Sequence, residues 1–537
     1  MAVQIFGRVV GRWVLLLPLT VLMCGLGAPP AGAEPAVARD RPAESRIESV
    51  TLDPASGQRL DSPASHPYRR VVGTVRGVVA ATEDVRGLTG PVAYSAQFEM
   101  FVPLDRPSTL LLTEVENRGN PISPGTFDDL VQVPPTGPPA TANWSAYTTE
   151  PYGGAGFFLD GRRSWARVQW QAGFATGVPQ DAQGVGLVIV RDFGRMLAGR
   201  FGDGPLRRLG VGAYRDRILF GGSQSAWFVD TFLAEGFNVD PARAGQGVYQ
   251  VAMTLDGGGN WAALNNLAGD APQGPYVLPD GVPLRPSQIL SRPASDPFLV
   301  DYVAYTDFYR LRVGLTGREE IPVGMRRYDW PAAHAPSQLI PSQLVDSFVF
   351  GAGGAHCNNG TPIPLSPLDS RPYSRALLVG VENELVARRS EAQPVRGVRL
   401  PPSTTFALGP IPDSALTYQG QQTFNPLPGI TVPVPRSDRD GWPVGGVRFP
   451  EVDLPLGRPI PPAIPHVGTS SIADICGNFG GYAPFTAAEL ATRYGSRDAY
   501  LDAYGHALDR LIAQRYLLTS DRQQQLDEAA RRYDAAP

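Results

Sequence analysis

The sequence predicts an α/β fold in one large domain, with a mostly parallel central sheet covered by helices on both faces. Three observations predict it. Apolar, strand-like runs recur at wide spacing, at 109–115, 164–170 and 217–220. The stretch 184–201, with Val185, Leu187, Val188, Val190, Phe193 and Leu197, suits a short strand feeding a helix. After Phe220 the chain at 226–235 has helical spacing, with Phe228, Val229, Phe232 and Leu233 apolar. Strands and helices alternating over such distances build parallel sheets, because each parallel crossover needs a dozen or more residues.

Taken in order, the elements begin with an export signal. Residues 1–12 carry Arg8, Arg12 and no acid, 13–26 are almost wholly apolar, and Ala31-Gly32-Ala33 offers a small-residue cut before Glu34. Cleavage after Ala33 and secretion are expected. The apolar run is too short to span a bilayer, and no later run of about 20 apolar residues follows, so no transmembrane segment is expected. Residues 34–45 are polar and rich in Ala and Pro, which predicts a disordered mature N-terminus, with order from Ile47. The β-rich runs 71–75 and 94–102 predict antiparallel edge strands. The single domain, 46–537, is expected to carry loop-rich insertions near 257–295 and 402–469, both rich in Gly and Pro. Inserted loops over a parallel sheet shape the pocket, since ligands bind beyond the carboxyl ends of the strands. Two further strands are expected at 297–307 and 324–330, and C-terminal helices at 486–535, where Leu501, Tyr504, Leu508, Leu511 and Ile512 recur at three or four.

Composition narrows the chemistry. Hydrophobic residues make up 43% of the chain, ample for a core, while a charged fraction of 18% and a net charge of −4 give no basic footprint for nucleic acid. Every one of the 47 basic Lys and Arg positions is arginine. Without lysine there is no Schiff base, no Ser-Lys dyad and no phosphate-loop lysine. The five histidines form no H-x-x-x-H pair and the cysteines no C-x-x-C pair, so neither metal nor cofactor is expected. With Cys24 in the signal, Cys357 and Cys476 remain in a compartment where disulfides survive; a bridge is expected, two buried thiols being the alternative.

The run Arg217-Ile-Leu-Phe-Gly221-Gly222-Ser223-Gln224-Ser225-Ala226-Trp227 reads as strand, sharp turn, helix. A serine on such a turn needs small residues two before and two after it, which Gly221 and Ser225 supply. Its hydroxyl then stands at a helix N-terminus, where a developing anion is favoured. A structural turn is the alternative, since G-x-S-x-[GS] is short and this chain is rich in Gly and Ser.

Gly222-Ser-Gln-Ser-Ala226, followed by Gly236-Phe237-Asn238, resembles the elbow and GFN signature of a family of α/β-hydrolase domain proteins, large and often exported. Glu116-Asn117-Arg118-Gly119-Asn120 resembles its NRG loop, 165–173 its strand ending in a WQ pair, and Pro401-Pro402-Ser403 its PPS segment. The likeness covers most of the mature chain. Ala226 and Trp227 depart from it, standing where the family usually has Gly then Arg. The resemblance implies an α/β-hydrolase fold and a serine hydrolase.

In that fold the chain order is nucleophile, acid, base. Of the histidines after Ser223, His334 follows the expected strand 324–330 by a few residues and is the expected base. His356 in a Gly-rich loop is the rival; His466 lies in a Pro-rich insertion and His506 on a helix. Asp307 ends the preceding strand and is the expected acid, matching a T-[ED]-[YF] sequence of the resembling family at Thr306-Asp307-Phe308. Asp301 is its rival, and capping of a following helix is the alternative role for Asp307. For the oxyanion, the backbone amide of Gln224 is expected to act with that of Arg118 or Gly119, the loop after the strand ending near Val115. Asn117 and Arg118 side chains have a loop-bracing role as their alternative. The expected substrate is a small-molecule or lipid-like carboxylic ester, with an amide as the nearest rival and a catalytically inactive binding protein as the reading from another class.

Overall fold

The computed structural model of the protein describes residues 44–54, 56–61, 64–106, 108–128, 156–179, 181–200, 204–243, 245–262, 282–331, 366, 368–410, 417–418, 421–422, 431–460 and 481–537. The expected signal segment 1–33, His334, His356, His466, Cys357 and Cys476 lie outside the described residues. Of the expected N-terminal tail, Glu44 and Ser45 are described and already belong to the fold: Ser45 is buried, and its hydroxyl accepts the Ala80 amide at 2.8 Å.

One ten-stranded sheet organises Ala43–Pro537, a single compact unit. In chain order the strands are β1 (Arg46–Leu52), β2 (Gln58–Leu60), β3 (Tyr68–Val79), β4 (Val92–Pro103), β5 (Leu110–Val115), β6 (Ser164–Val168), β7 (Asp216–Gly222), β8 (Val251–Leu255), β9 (Phe298–Ala304) and β10 (Met325–Trp330). Their spatial order is β1-β3-β4-β6-β5-β7-β8-β9-β10, with β2 paired to β3. The β3–β4 pair is a long antiparallel ladder from Tyr68↔Pro103 to Val79↔Val92. From β6 onward every pairing is parallel. The parallel strands β5 to β9 are buried at every position, as a sheet covered on both faces requires.

β4 pairs with β6, and β5 is inserted between β6 and β7. The chain therefore leaves β5 toward one side of the sheet and returns for β7 on the other. Such a reversal opens a crevice outside the carboxyl ends of β5 and β7.

One face is covered by α2 (Val185–Leu197) and α3 (Gln224–Ala234), the other by α1 (Ser123–Phe127), α5 (Arg371–Ala387) and the C-terminal helices; a short α4 (Asp307–Arg310) follows β9. The short strand expected within 184–201 does not form: Val185–Leu197 is one helix with all thirteen residues buried. Its polar stripe, Arg191, Asp192 and Arg195, is buried in ion pairs with Glu83, Glu44 and Asp240, and the β-branched run Val185, Val188, Ile189 and Val190 ahead of it has the composition of a strand. The expected C-terminal helices are α6 (Ala487–Tyr494), α7 (Arg497–Ala513) and α8 (Arg522–Asp534). Strand β8 stands just before the expected insertion at 257–295, and Leu284 and Ile289 within that stretch are buried in the core. Within 402–469, Thr404 pairs along the outer edge of β10, its amide donating to Arg327 O and its carbonyl accepting from Asp329 N, both at 2.9 Å. Among the described residues no helix is long and apolar enough to cross a membrane, and no group of His, Cys, Asp and Glu could hold a metal ion.

Candidate active site

Ser223 stands between β7 and α3 with φ 54° and ψ −127°, outside the regions L-residues occupy freely. Strain of this kind costs about 1–3 kcal/mol and persists only where the surroundings enforce it. The enforcement is visible. The Ser223 amide donates to Leu255 O of β8 at 2.8 Å, and its carbonyl accepts from Ala226 N (2.8 Å) and Trp227 N (3.2 Å). A Cβ on Gly221 would overlap the Ser225 carbonyl oxygen, and one on Gly222 would overlap Ile122 Cδ1. The Ser225 hydroxyl closes the turn, donating to Gly222 O at 2.8 Å and accepting Gly222 N at 2.9 Å. A side chain at position 225 thus does more than stay small: it ties the turn's base to the helix. Behind the turn, the GFN segment anchors the end of α3. Asn238 Nδ2 donates to Tyr249 O (3.0 Å) and Ser295 O (2.7 Å), and its Oδ1 accepts Tyr249 N at 2.9 Å.

The loop after β5 faces the Ser223 turn. Asn117 and Asn120 exchange backbone hydrogen bonds at 2.8 and 2.9 Å around Arg118 (φ 50°) and Gly119 (φ 77°), a tight turn with both central residues left-handed. Asn117 Nδ2 donates to Gly222 O at 3.1 Å, and the Arg118 amide donates to Gln224 Oε1 at 3.2 Å. The Arg118 amide is thus engaged by a side chain, and Gln224 has a bracing role that its sequence position did not announce. The turn's own hydrogen bonds leave the Gly119 amide unused. Asn117 braces the loop, as its alternative reading held.

Two acids at the end of β5 secure this loop from beneath. Glu114 is fully buried and accepts from the Ile122 and Ser123 amides, the Ser123 hydroxyl and Trp165 Nε1. Glu116 ends a buried charge ladder across four strands. Arg70 Nε meets Glu99 Oε1 at 2.6 Å, Arg167 Nη2 meets Glu99 Oε2 at 2.7 Å, and Arg167 Nη1 lies 3.6 Å from Glu116 Oε1. That last oxygen accepts no hydrogen bond. Burial pushes the Glu116 carboxyl up to about 8, Arg167 opposing and Glu114 and Glu99 adding to the rise. The signal was present in the sequence as two carboxylates ending an otherwise apolar run.

Asp307 opens α4 one loop beyond β9, buried, with its Oδ2 accepting the Ala304 amide at 2.9 Å. Asp301 lies mid-strand and accepts the Thr254 hydroxyl at 2.9 Å. β9 and β10 are stitched at their ends by Tyr305 N donating to Trp330 O at 2.9 Å. The two described histidines are occupied elsewhere: His66 Nδ1 meets Asp105 Oδ2 at 2.6 Å, and His506 lies exposed on α7.

Solved structures to which the chain is similar include carboxyl esterase 2 from the mycorrhizal fungus Tuber melanosporum (13% identity, 47% of this chain and 76% of that chain, TM-score 0.25). A ligand-bound form of the rice cell wall degrading esterase LipA from Xanthomonas oryzae is similar at 9% identity (56% and 94%, TM-score 0.28). A CocE/NonD family hydrolase from Staphylococcus aureus is similar at 11% (53% and 49%, TM-score 0.25). No curated protein sequence matches the chain. The sequence profile of the alpha/beta hydrolase domain matches residues 152–527, well over half of the chain, and the protein belongs to that family.

Proposed function

We propose that the protein hydrolyses a carboxylic ester of a small or lipid-like molecule through Ser223, His334 and Asp307. The observation that carries the reading is the nucleophile turn: a strained serine at the carboxyl end of a central parallel strand and the N-terminus of a helix, beside the crevice where the strand order reverses. Ser223 Oγ attacks the ester carbonyl while His334 takes its proton; the imidazolium, held by Asp307, returns the proton to the leaving alcohol, and water then releases the acid. The Gln224 amide at the start of α3 and the Gly119 amide stabilise the oxyanion, because the Arg118 amide is held by Gln224 Oε1. Reach supports His334. β10 is three strands from β7, about 14 Å at normal strand spacing, and the four residues from Trp330 to His334 span up to about 14 Å of extended chain.

The test is hydrolysis of a p-nitrophenyl ester series by wild type and Ser223→Ala, with fluorophosphonate labelling. Both signals are expected in wild type and neither in the variant, with turnover falling by about 10⁶. A folded wild type that neither labels nor turns over refutes the reading; labelling without ester turnover redirects it to an amide. We further propose cleavage after Ala33 on export and a Cys357–Cys476 bridge, each checked by the intact mass of the secreted protein before and after reduction.

A further inference from the structure

Two turns meet where β5 and β7 end, and two side chains join them in opposite senses. Asn117 Nδ2 donates to Gly222 O at 3.1 Å, and Gln224 Oε1 accepts the Arg118 amide at 3.2 Å. Gln224 is the first residue of α3 and is fully buried. Alanine or methionine would serve that helix position as well without burying a carboxamide. What the carboxamide adds is an acceptor for the neighbouring turn.

Around that bond the turn's amides divide. Asn117 N and Asn120 N donate to each other's carbonyls at 2.8 and 2.9 Å, and Arg118 N donates to Gln224. Asn120 Nδ2 also donates to Arg118 O at 3.1 Å. Gly119 is buried, yet its amide donates to no acceptor among the described residues. A buried N–H is costly unless something accepts it. The Phe174 ring packs against this residue, since a Cβ on Gly119 would lie 2.6 Å from it, and the φ of 77° there suits glycine.

We propose that the Gln224 side chain is a positioning residue for ester hydrolysis: by holding the Arg118 amide, it fixes the Gly119 amide as the second donor to the oxyanion. The first donor is the backbone amide of Gln224 itself, one residue after Ser223. A single residue thus supplies one donor and sets the distance to the other, so the pair stays matched if α3 shifts against β5. The carboxamide forms no bond to substrate. The inference rests on the Ser223 hydrolase reading. Its effect is separable, because a substitution at position 224 leaves the first donor in place and disturbs only the second.

The experiment compares a p-nitrophenyl ester with the matching thionoester, in which sulfur replaces the carbonyl oxygen, in wild type, Gln224→Met and Gln224→Ala. Rates are taken per fluorophosphonate-labelled serine, so that a loss of folded protein does not count. Both variants keep helix propensity and remove the oxygen acceptor. Donors set for an oxyanion at about 2.7–3.1 Å do not suit the larger, more weakly accepting sulfur. Expected on the ester is a fall in kcat of about 100-fold at unchanged KM, with labelling slowed in step; on the thionoester the fall is expected to stay under about fivefold. A kcat on the ester within about threefold of wild type in both variants overturns the proposal. So does an equal proportional loss on both substrates, the mark of a general disturbance of the turn. A wild type that neither labels nor turns over refutes the Ser223 reading itself, an outcome distinct from an active wild type whose variants keep its rate.

Discussion

Glu116, at the end of β5, makes the stability of the fold depend on pH, and replacing it with glutamine isolates the effect. In the folded protein burial holds its proton until about pH 8, whereas an ordinary carboxyl releases it near 4.5. Between those values the folded state keeps a proton that the unfolded chain gives up, so stability falls as pH rises through this window and is level on either side of it. One pH unit is worth about 1.4 kcal/mol, so the whole window amounts to roughly 5 kcal/mol from this single side chain. Other buried carboxylates slope the same way, which makes the difference between variant and wild type the informative quantity. Glutamine has the shape of the protonated acid and cannot ionise. In urea unfolding followed by tryptophan fluorescence, Glu116→Gln is expected to gain about 3 kcal/mol on wild type between pH 5.5 and 8.5. A difference that does not change with pH would refute the reasoning, since it would mean that Arg167 at 3.6 Å neutralises the carboxylate fully.

Three further outcomes follow from the site's construction. Gly221→Ala is expected to lower the fluorophosphonate labelling rate by 100-fold or more, because its Cβ would collide with the Ser225 backbone oxygen, which cannot move without moving α3; unchanged labelling contradicts the elbow packing. Asn117→Ala removes the donor to Gly222 O and is expected to reduce kcat about tenfold with little change in KM, read by steady-state kinetics. Asn238→Ala deletes three buried hydrogen bonds and is expected to cost about 3 kcal/mol in urea unfolding while the remaining folded protein labels at full stoichiometry.

Much of the fold was legible because strands buried on both faces must be apolar and separated by long crossovers. β5, β6, β7 and β9 announce themselves in this way, and the turn chemistry around Ser223 is written in Gly221 and Ser225. What failed to show had a physical cause. The first half of Val185–Leu197 has a strand's composition because Val185, Val188, Ile189 and Val190 are β-branched, while the helix expected after it extends over the whole segment. Strand β8, Val251–Leu255, was not among the expected strands; it runs straight into Asp256-Gly257-Gly258-Gly259, whose turn residues mask its end. The bracing of the Arg118 amide by Gln224 is a contact between residues more than a hundred positions apart, which spacing along one chain does not reveal.

The insertion of β5 between β6 and β7 constrains the order of assembly. β5 is Leu-Leu-Leu-Thr-Glu-Val, apolar and β-prone, and its two partners begin about fifty and a hundred residues later in the chain. A nascent or truncated chain that stops before residue 216 holds a leucine-rich strand with one open edge, the kind of edge on which another copy can pair. Contacts of such sequence separation also close slowly. A break between β6 and β7 is therefore expected to yield aggregates rather than a smaller soluble domain, and fragments that begin after β5 lack the strand that carries the Asn117–Asn120 turn.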